Sequence, residues 1–450
     1  MMIQHGGAVQ VQEAACAALS TLAEELQNAL KIGAQGGVAC LVAAMKGHTE
    51  SELVQQNGCR ALGKLAFDRE NRARMMEGGA ILAVVRAMTM CPDALLLQEH
   101  GCQALGSLIS DDTMDALCDA GGIAALVSAM RRHSGFIEVQ QQGLEAVRDL
   151  ARASADNRAK IGAERGVEAV VDAMRTLGES AEVQEFGCET LLLLAIRADN
   201  RARIAAAIGI GAVLVALRQH AAAPGVLKFG CESLFSLARE SDANRVRTAE
   251  ARGVETVLAA IRGPDVSEGV QEAGFAAVTS LASNERIRAQ IVAEDGIAVV
   301  VGGMRRHQQS ARAQQRVCEA LLKLAVTVAD NNAARMQAVC AQMDGKSLER
   351  MHALQVELQA LADEKDCNRM RIGAEDGIAA VVFAMRKHAD ALAVQKAGCL
   401  LLRDLAINFG NRKKIGREGG VDAVIAAMLQ HTDSERLQAA ACAALRELAM

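Results

Sequence analysis

Cysteine and histidine are the residue types in this sequence that could do chemistry by themselves. The chain has 13 cysteines and 9 histidines, and such side chains hold metal ions or act as nucleophiles where several of them converge. Most cysteines instead recur in one phase along the chain. Since that spacing places each thiol in a different structural unit, it predicts buried, reduced core residues and no metal or redox site. The phased residues are Cys16, Cys59, Cys102, Cys188, Cys231, Cys318, Cys399 and Cys442.

Six of the nine histidines share a second phase. Each stands at the end of the predicted second helix, typically after basic residues, as in Met130-Arg131-Arg132-His133. A metal ion needs ligands that converge to about 2 Å from one point, whereas these histidines lie in different units. Basic residues at a helix C-terminus complement its dipole and bond its free carbonyl groups, so the pattern predicts a capping role. The six are His48, His133, His220, His307, His388 and His431.

Other features of the sequence exclude several classes of function. The sequence has no P-loop and no HExxH motif, so we expect neither catalysis nor a cofactor or metal. The formal net charge is −5, and there is no Trp or Tyr to stack on bases, which does not favour a nucleic-acid partner. No apolar run reaches the roughly 18 residues of a membrane span, and the N-terminus lacks a signal pattern. We therefore expect a cytoplasmic or nuclear protein that works by binding.

The phased residues lie in a repeated three-helix unit, of which residues 67–109 are an example. Asp68 or Asn71 caps a short first helix, and Gly78 and Gly79 break it, because glycine tolerates the positive φ of a helix stop. Apolar residues at 81, 82, 84, 85 and 88 follow with the spacing of an amphipathic second helix. After a turn at Pro92, a third helix extends to Leu108.

Three features recur with this unit: an Asn-Arg turn, a glycine corner and a Leu-Ala pair that closes the third helix. The turns are Asn71-Arg72, Asn157-Arg158, Asn200-Arg201, Asn244-Arg245, Asn368-Arg369 and Asn411-Arg412. Acidic residues beside these turns, such as Glu70 and Asp242, predict a solvated edge that neutralises its own arginines. Units that recur at such a period stack into a solenoid.

This combination resembles the armadillo repeat over essentially the whole chain. The resemblance implies an all-α fold, a right-handed α-solenoid of the armadillo superhelix type, with about ten three-helix repeats and a partial N-terminal one. It also implies that the third helices line a concave groove. The small Gly and Cys of each third helix are expected to let neighbouring third helices pack closely.

The repeats divide one solenoid that spans residues 1–450. Residues 1–23 form the partial repeat, a third helix, and residues 326–362 form a shortened repeat without the glycine corner. Neither end has a polar capping unit, which predicts a piece of a longer protein or self-association through the uncapped ends. The complete repeats are residues 24–66, 67–109, 110–151, 152–195, 196–238, 239–282, 283–325, 363–406 and 407–450.

The armadillo resemblance implies that three positions of each third helix face the groove: three before, one after and five after the phased position. In armadillo proteins that carry nuclear-import signals the later two are Trp and Asn, and neither occurs at these positions. The central groove is instead mainly acidic, with Glu145, Asp149, Glu185, Glu189, Glu232, Glu272 and Glu319, interrupted by Lys228 and Lys323. Arg60 and Lys64 form a basic step towards the N-terminal end.

These features predict a protein-interaction scaffold that holds a basic segment of a partner protein in its groove, since aligned carboxylates favour a cationic partner. One alternative is a regulatory array within a larger multidomain enzyme, such as a kinase or ligase. Another is a transport adaptor, which the missing Trp and Asn do not favour.

Overall fold

The computed structural model describes residues 2–263, 265–325 and 367–450, and within these ranges all regular structure is helical. The contacts divide the chain into two units, residues 1–220 and 221–450. The first unit contains α1 (Val9–Leu22), α2 (Leu26–Ala34), α3 (Gly37–Gly47), α4 (Glu52–Leu65), α5 (Arg69–Gly78), α6 (Ala80–Met90), α7 (Leu95–Ser107), α8 (Met114–Asp119), α9 (Gly122–Arg132), α10 (Ile137–Ala153), α11 (Ala155–Ala163), α12 (Gly166–Thr176), α13 (Ala181–Leu194), α14 (Ala198–Ala206) and α15 (Gly209–Gln219).

The second unit continues the same order of first, second and third helices. Helical residues 367–374 precede α23 and take the place of a first helix. The labelled helices are α16 (Pro224–Ala238), α17 (Asp242–Glu250), α18 (Gly253–Arg262), α19 (Glu268–Leu281), α20 (Glu285–Ala293), α21 (Gly296–Arg306), α22 (Ala311–Ala325), α23 (Gly377–Lys387), α24 (Leu392–Ala406), α25 (Phe409–Arg417), α26 (Gly420–Gln430) and α27 (Glu435–Ala449).

The third helices form the packed layer of each unit. In the first unit α1, α4, α7, α10 and α13 pack in sequence, and in the second unit α16, α19, α22, α24 and α27 do the same. The expected α-solenoid is therefore confirmed. The glycine of the Gly-Cys pair has a more local role than expected: a Cβ at Gly58 would lie 2.7 Å from Met45, and one at Gly101 would lie 2.5 Å from Met88. Glycine thus makes room for the methionine of its own second helix.

In most repeats a glutamine ties the second helix to its third helix. Gln55 donates from Nε2 to the carbonyl oxygens of Met45 (2.8 Å) and His48 (2.9 Å), the last acceptors of α3. These carbonyl groups have no partner within their own helix. Gln98, Gln140, Gln184, Gln314, Gln395 and Gln438 make the corresponding pair of bonds.

The histidines connect repeats, which corrects the expectation that they bond the free carbonyl groups of their own helix. The glutamines already occupy those carbonyl groups, so five of the six imidazoles reach the turn of the preceding repeat. The Nε2 atom of His307 is buried and has no hydrogen-bond partner among the described residues. The Nε2 atoms of His48, His133, His220, His388 and His431 donate to the carbonyl oxygens of Gly6 (2.7 Å), Pro92 (2.8 Å), Gly178 (2.7 Å), Gln308 (2.9 Å) and Ala389 (2.7 Å).

The arginines of the Asn-Arg turns are held by more hydrogen bonds than the expected solvated edge would provide. Arg72 donates to the carbonyl oxygen of Ala66 at 2.7 Å, at the end of α4, and a cation there complements the helix dipole. Arg158, Arg201, Arg245 and Arg412 bond the end of the preceding third helix in the same way. The neutralising acidic neighbours are present as well, since Arg74 pairs with Glu70 at 3.1 Å and Arg245 with Asp242 at 3.3 Å.

The repeats on either side of residues 326–366 contact each other directly. α22 packs on α24, and Arg371 donates to the carbonyl oxygen of Val292 (3.1 Å) and to Asp295 (3.1 Å). The His388 bond to Gln308 spans 80 positions, whereas the His431 bond to Ala389 spans 42. Repeats 283–325 and 363–406 therefore stack as consecutive repeats. The expected shortened repeat, 326–362, lies outside the described residues and stays a prediction.

The corner before each second helix has a left-handed backbone. Glycine occupies it in four repeats, at positions 36, 79, 121 and 419, but Arg165, Ile208, Arg252, Asp295 and Asp376 adopt φ values of 57–64° there. A side chain in this region is strained, most of all a β-branched one such as Ile208. In five repeats the corner therefore carries backbone strain, which the packing of the neighbouring helices must offset.

Replacing Ile208 with glycine is expected to stabilise the protein by about 1 kcal/mol, because the strain disappears and Ile208 is 65% exposed and so loses little burial. The measurement is urea unfolding followed by circular dichroism. The reciprocal variant, Gly79→Ile, has open space at its Cβ apart from Lys46 Nζ at 3.6 Å and should lose about as much stability. A lower midpoint for I208G would contradict the argument.

Gln55→Leu is expected to destabilise the fold by about 2 kcal/mol, because it leaves the buried carbonyl group of Met45 without a partner and that of His48 with the backbone N–H of Ser51 alone. Gln56→Leu is the matched control, since Gln56 is half-buried and outside this hydrogen-bond pair. Urea midpoints of the two variants provide the comparison. Equal midpoints would show that the glutamine pair does not hold the helix end.

Candidate functional site

Seven of the eight phased thiols are core groups without accessible chemistry; Cys442, in the last third helix, is exposed and corrects the expectation that all eight are buried. Cys59, Cys102 and Cys318 are 0% exposed, and burial raises the pKa of each of these thiols to about 12. A thiol that stays protonated is a poor nucleophile and metal ligand. Across the described ranges, no group of three or more His, Cys, Asp or Glu side chains could hold a metal ion.

Alkylation tests this assignment of the thiols. With iodoacetamide at pH 8, we expect Cys367 and Cys442, the two exposed cysteines of the part of the chain that the structure describes, to react before the buried ones, because the buried thiols are neither ionised nor accessible. Peptide mass spectrometry identifies the modified positions, and the same reaction in 6 M guanidinium should modify all of them. Fast labelling of Cys102 in the native protein would overturn the assignment.

A cavity of about 300 Å³ lies on the solvent side of the third helices of the first unit. We call this side the third-helix surface; it consists of the predicted groove positions and the residues that follow each Leu-Ala pair. The cavity combines one aromatic ring, amide and hydroxyl groups, and two carboxylates. It is lined by Phe67, Gln103, Gly106, Ser107, Gln142, Glu145 and Asp149.

Phe67 provides the apolar wall of this cavity. It follows the Leu65-Ala66 pair that closes α4, and 67% of it is exposed. The carbonyl oxygens of Ala66 and Phe67 both accept hydrogen bonds from Arg72, which fixes the backbone where the ring projects. An exposed aromatic ring beside carboxylates suits a long cationic side chain, because its stem can lie on the ring.

The carboxylates of the cavity belong to a charged network on α10 and α13. Arg148 lies 3.5 Å from Glu145, 2.9 Å from Asp149 and 3.8 Å from Glu189. Its guanidinium also stacks over Phe186, with 4.7 Å between the central carbon and the ring centroid. Since Arg148 is only 13% exposed, it is part of the packed structure beneath the surface carboxylates.

A second arginine covers the network from the solvent side. Arg152 pairs with Asp149 at 3.0 Å and with Glu189 at 2.5 Å, and 53% of its side chain is exposed. Glu145 keeps 48% of its side chain exposed, and Glu185 is half-buried and forms no ion pair with a described residue. Four carboxylates therefore face two guanidinium groups, which leaves this part of the surface with two excess negative charges.

The basic step near the N-terminal end is compact. Arg60 pairs with Glu24 at 2.6 Å. Burial, together with the charges of Arg60 and Lys64, lowers the pKa of His100 to about 4. His100 is therefore neutral at pH 7, and the positive charge of this region comes from Arg60 and Lys64.

The predicted site residues of the second unit are also mixed with cations. Glu272 pairs with Arg312 at 3.0 Å, and Glu319 pairs with Arg316 at 3.0 Å. The side chains of Lys228 and Glu232 are half-buried, whereas Lys323 is exposed. The acidic ladder expected from the sequence thus consists of ion pairs over much of its length.

Sequence reasoning missed Phe67, Arg148 and Arg152, because it considered only three positions of each third helix. Phe67 and Arg152 occupy a fourth position, directly after the Leu-Ala pair, where Ile196 and Ile407 are also exposed. The signal available was the variable residue that follows an otherwise constant pair. Arg148 could be found as an arginine directly before a groove carboxylate.

Stacked three-helix repeats with a shared layer of third helices define an α-solenoid repeat protein of the armadillo type. The chain belongs to the family described as LRRK2 ARM repeat, whose model matches residues 75–198 and 163–450. The fold is similar to the crystal structure of an engineered protein that is 21% identical, with a TM-score of 0.75 over 98% of this chain and 96% of that chain. A second engineered protein is 22% identical over 55% of this chain and 97% of its own, with a TM-score of 0.47. The search of curated proteins found no match.

Among the described helices, none by itself is long and apolar enough to cross a membrane. Two helix pairs pass that test only when taken together, α2 with α3 and α14 with α15, and they bend by 75° and 72°.

Proposed function

We propose that this protein is a protein-interaction scaffold that binds a basic segment of a partner protein on its third-helix surface. Stacked repeats present extended surfaces for binding other proteins, which is the general role that the fold supports. The observation that supports the basic partner is the cavity in which Phe67 stands beside Glu145 and Asp149.

A lysine or arginine of the partner would enter this cavity with its head towards Glu145. Its aliphatic stem would lie against Phe67, where an exposed cation–π contact contributes about 0.5–1 kcal/mol. Gln103, Ser107 and Gln142 supply hydrogen-bonding groups around the same space. The cavity thus offers an apolar wall, a counter-charge and polar neighbours to one long cationic side chain.

Specificity would come from charge and shape rather than from a row of aromatic anchors. The chain has eight Phe residues and no Trp or Tyr, the residue types that usually dominate an interface. Electrostatic complementarity then accelerates association and makes it sensitive to salt. The buried, reduced thiols support a cytoplasmic or nuclear place for this interaction.

The test of this function is the binding of labelled peptides, followed by fluorescence polarisation at 50 mM and 300 mM salt. The basic probe is a 12-residue peptide of alternating Arg and Ala, and the acidic probe replaces each Arg with Glu. We expect the double variant Glu145→Lys with Glu189→Lys to weaken binding of the basic probe at least about 30-fold at 50 mM salt, because it removes two counter-charges and adds two repulsive ones. Phe67→Ala should weaken it about threefold, in line with an exposed cation–π contact.

Asp172→Lys is the charge control, since Asp172 is exposed on the second helix α12; it changes the net charge in the same direction, by half as much as the double variant, without altering the third-helix surface. Far-ultraviolet circular dichroism checks that each variant is folded. Equal binding of the basic and acidic probes, or equal losses in the double variant and in D172K, would reject the basic-segment proposal.

A further inference from the structure

Arg152 binds carboxylates of the third-helix surface, in the way that we expect an arginine of the partner to bind them. Its guanidinium joins a carboxylate of its own helix, Asp149 at 3.0 Å, to one of the next third helix, Glu189 at 2.5 Å. Both acceptors belong to the network that lies beside the cavity of Phe67. One cationic group of the chain itself therefore already occupies part of the acidic surface.

The two arginines of this network differ in how firmly they are held. Arg148 is 13% exposed and stacks on Phe186, so its side chain is packed along its length. Arg152 is 53% exposed, and its described contacts are the two ion pairs made by its head. Half-exposed ion pairs of this kind contribute little stability, because water and salt screen them. Arg152 is therefore the member of the network that can be displaced.

The position of Arg152 in the repeat supports the same conclusion. It directly follows a Leu-Ala pair, where Phe67, Ile196 and Ile407 are all largely exposed. Side chains at this position thus point out of the packed core in several repeats. Arg152 differs from those apolar equivalents because it folds back onto the carboxylates of its own surface.

We propose that Arg152 is an internal competitor, which occupies Asp149 and Glu189 until a basic side chain of the partner displaces it. This inference rests on the proposed function and adds a regulatory and specificity-determining residue to it. A partner with a single cation gains little from the exchange, because one ion pair replaces another. A partner with several closely spaced cations can use Glu145 and the carboxylates beneath Arg152 together, so the competitor selects for clustered basic residues.

The experiment compares Arg152→Ala with Arg132→Ala in binding of the alternating Arg-Ala peptide by fluorescence polarisation. Arg132 is the matched control: it is 51% exposed, pairs with Asp93 at 2.6 Å and lies on the second helix α9, so its loss changes the net charge equally. We expect R152A to bind the peptide about tenfold more tightly at 50 mM salt and R132A to bind as the wild type does, because only R152A uncovers carboxylates of the site. The gain should fall at 300 mM salt.

A second probe, with one Arg among eleven Ala, separates competition from a general change in potential. If Arg152 is a competitor, the ratio of the R152A affinity to the wild-type affinity should be at least as large for this single-cation peptide as for the alternating Arg-Ala peptide. Equal affinity of R152A and R132A, while Glu145→Lys with Glu189→Lys still weakens binding as expected above, would overturn the competitor and leave the proposed function intact. Failure of the wild type and of R152A to bind the basic peptide would overturn both.

Discussion

The seating of each third helix against its own second helix and against the next third helix is the contact on which the rest of the structure depends. No single repeat can bury its apolar faces alone, so the spacing of successive third helices fixes where every surface residue lies. Gly58 and Gly101 show how this seating is achieved, because each leaves room for a methionine side chain of the preceding helix. The phased cysteine beside each glycine is small enough to be enclosed completely.

Polar groups then fix the angle between the helices. In most repeats a glutamine of the third helix bonds the end of the second helix. In five repeats a histidine at that end bonds the preceding repeat, and in five an arginine of the next first helix bonds the end of the third helix. Unpaired carbonyl groups at a buried helix end are costly, and these three side chains satisfy them. The repeats around residues 326–366 keep the glutamine bonds of Gln314 and Gln395 and the bond from His388 to the preceding described repeat, so these contacts hold where residues 326–366 separate two repeats along the chain.

The functional surface results from what the packing leaves exposed. A carboxylate on a third helix is a binding group only where cations of the same surface do not neutralise it. Around α10 and α13, Arg148 is buried below the carboxylates and Arg152 lies above them, which leaves a modest negative excess beside the ring of Phe67. In the second unit Glu272 and Glu319 are each paired with an arginine, and the surface there carries less free negative charge.

The sequence by itself determined the repeat, the helix order and the core role of most phased cysteines, because spacing alone places chemically similar residues in equivalent positions of a stack; that Cys442 is exposed was decided by the structure. The sequence also pointed to Glu145, Asp149 and Glu189, through the groove positions that the armadillo resemblance implies. Only the tertiary structure decided which carboxylates are paired, that the histidines bond the preceding repeat, and that Phe67 borders the acidic cavity. These features depend on distances between side chains of different repeats, and a periodic sequence pattern contains no information about such distances. The sequence also did not predict the strained backbone at Ile208, because the packing of the neighbouring helices imposes this backbone angle.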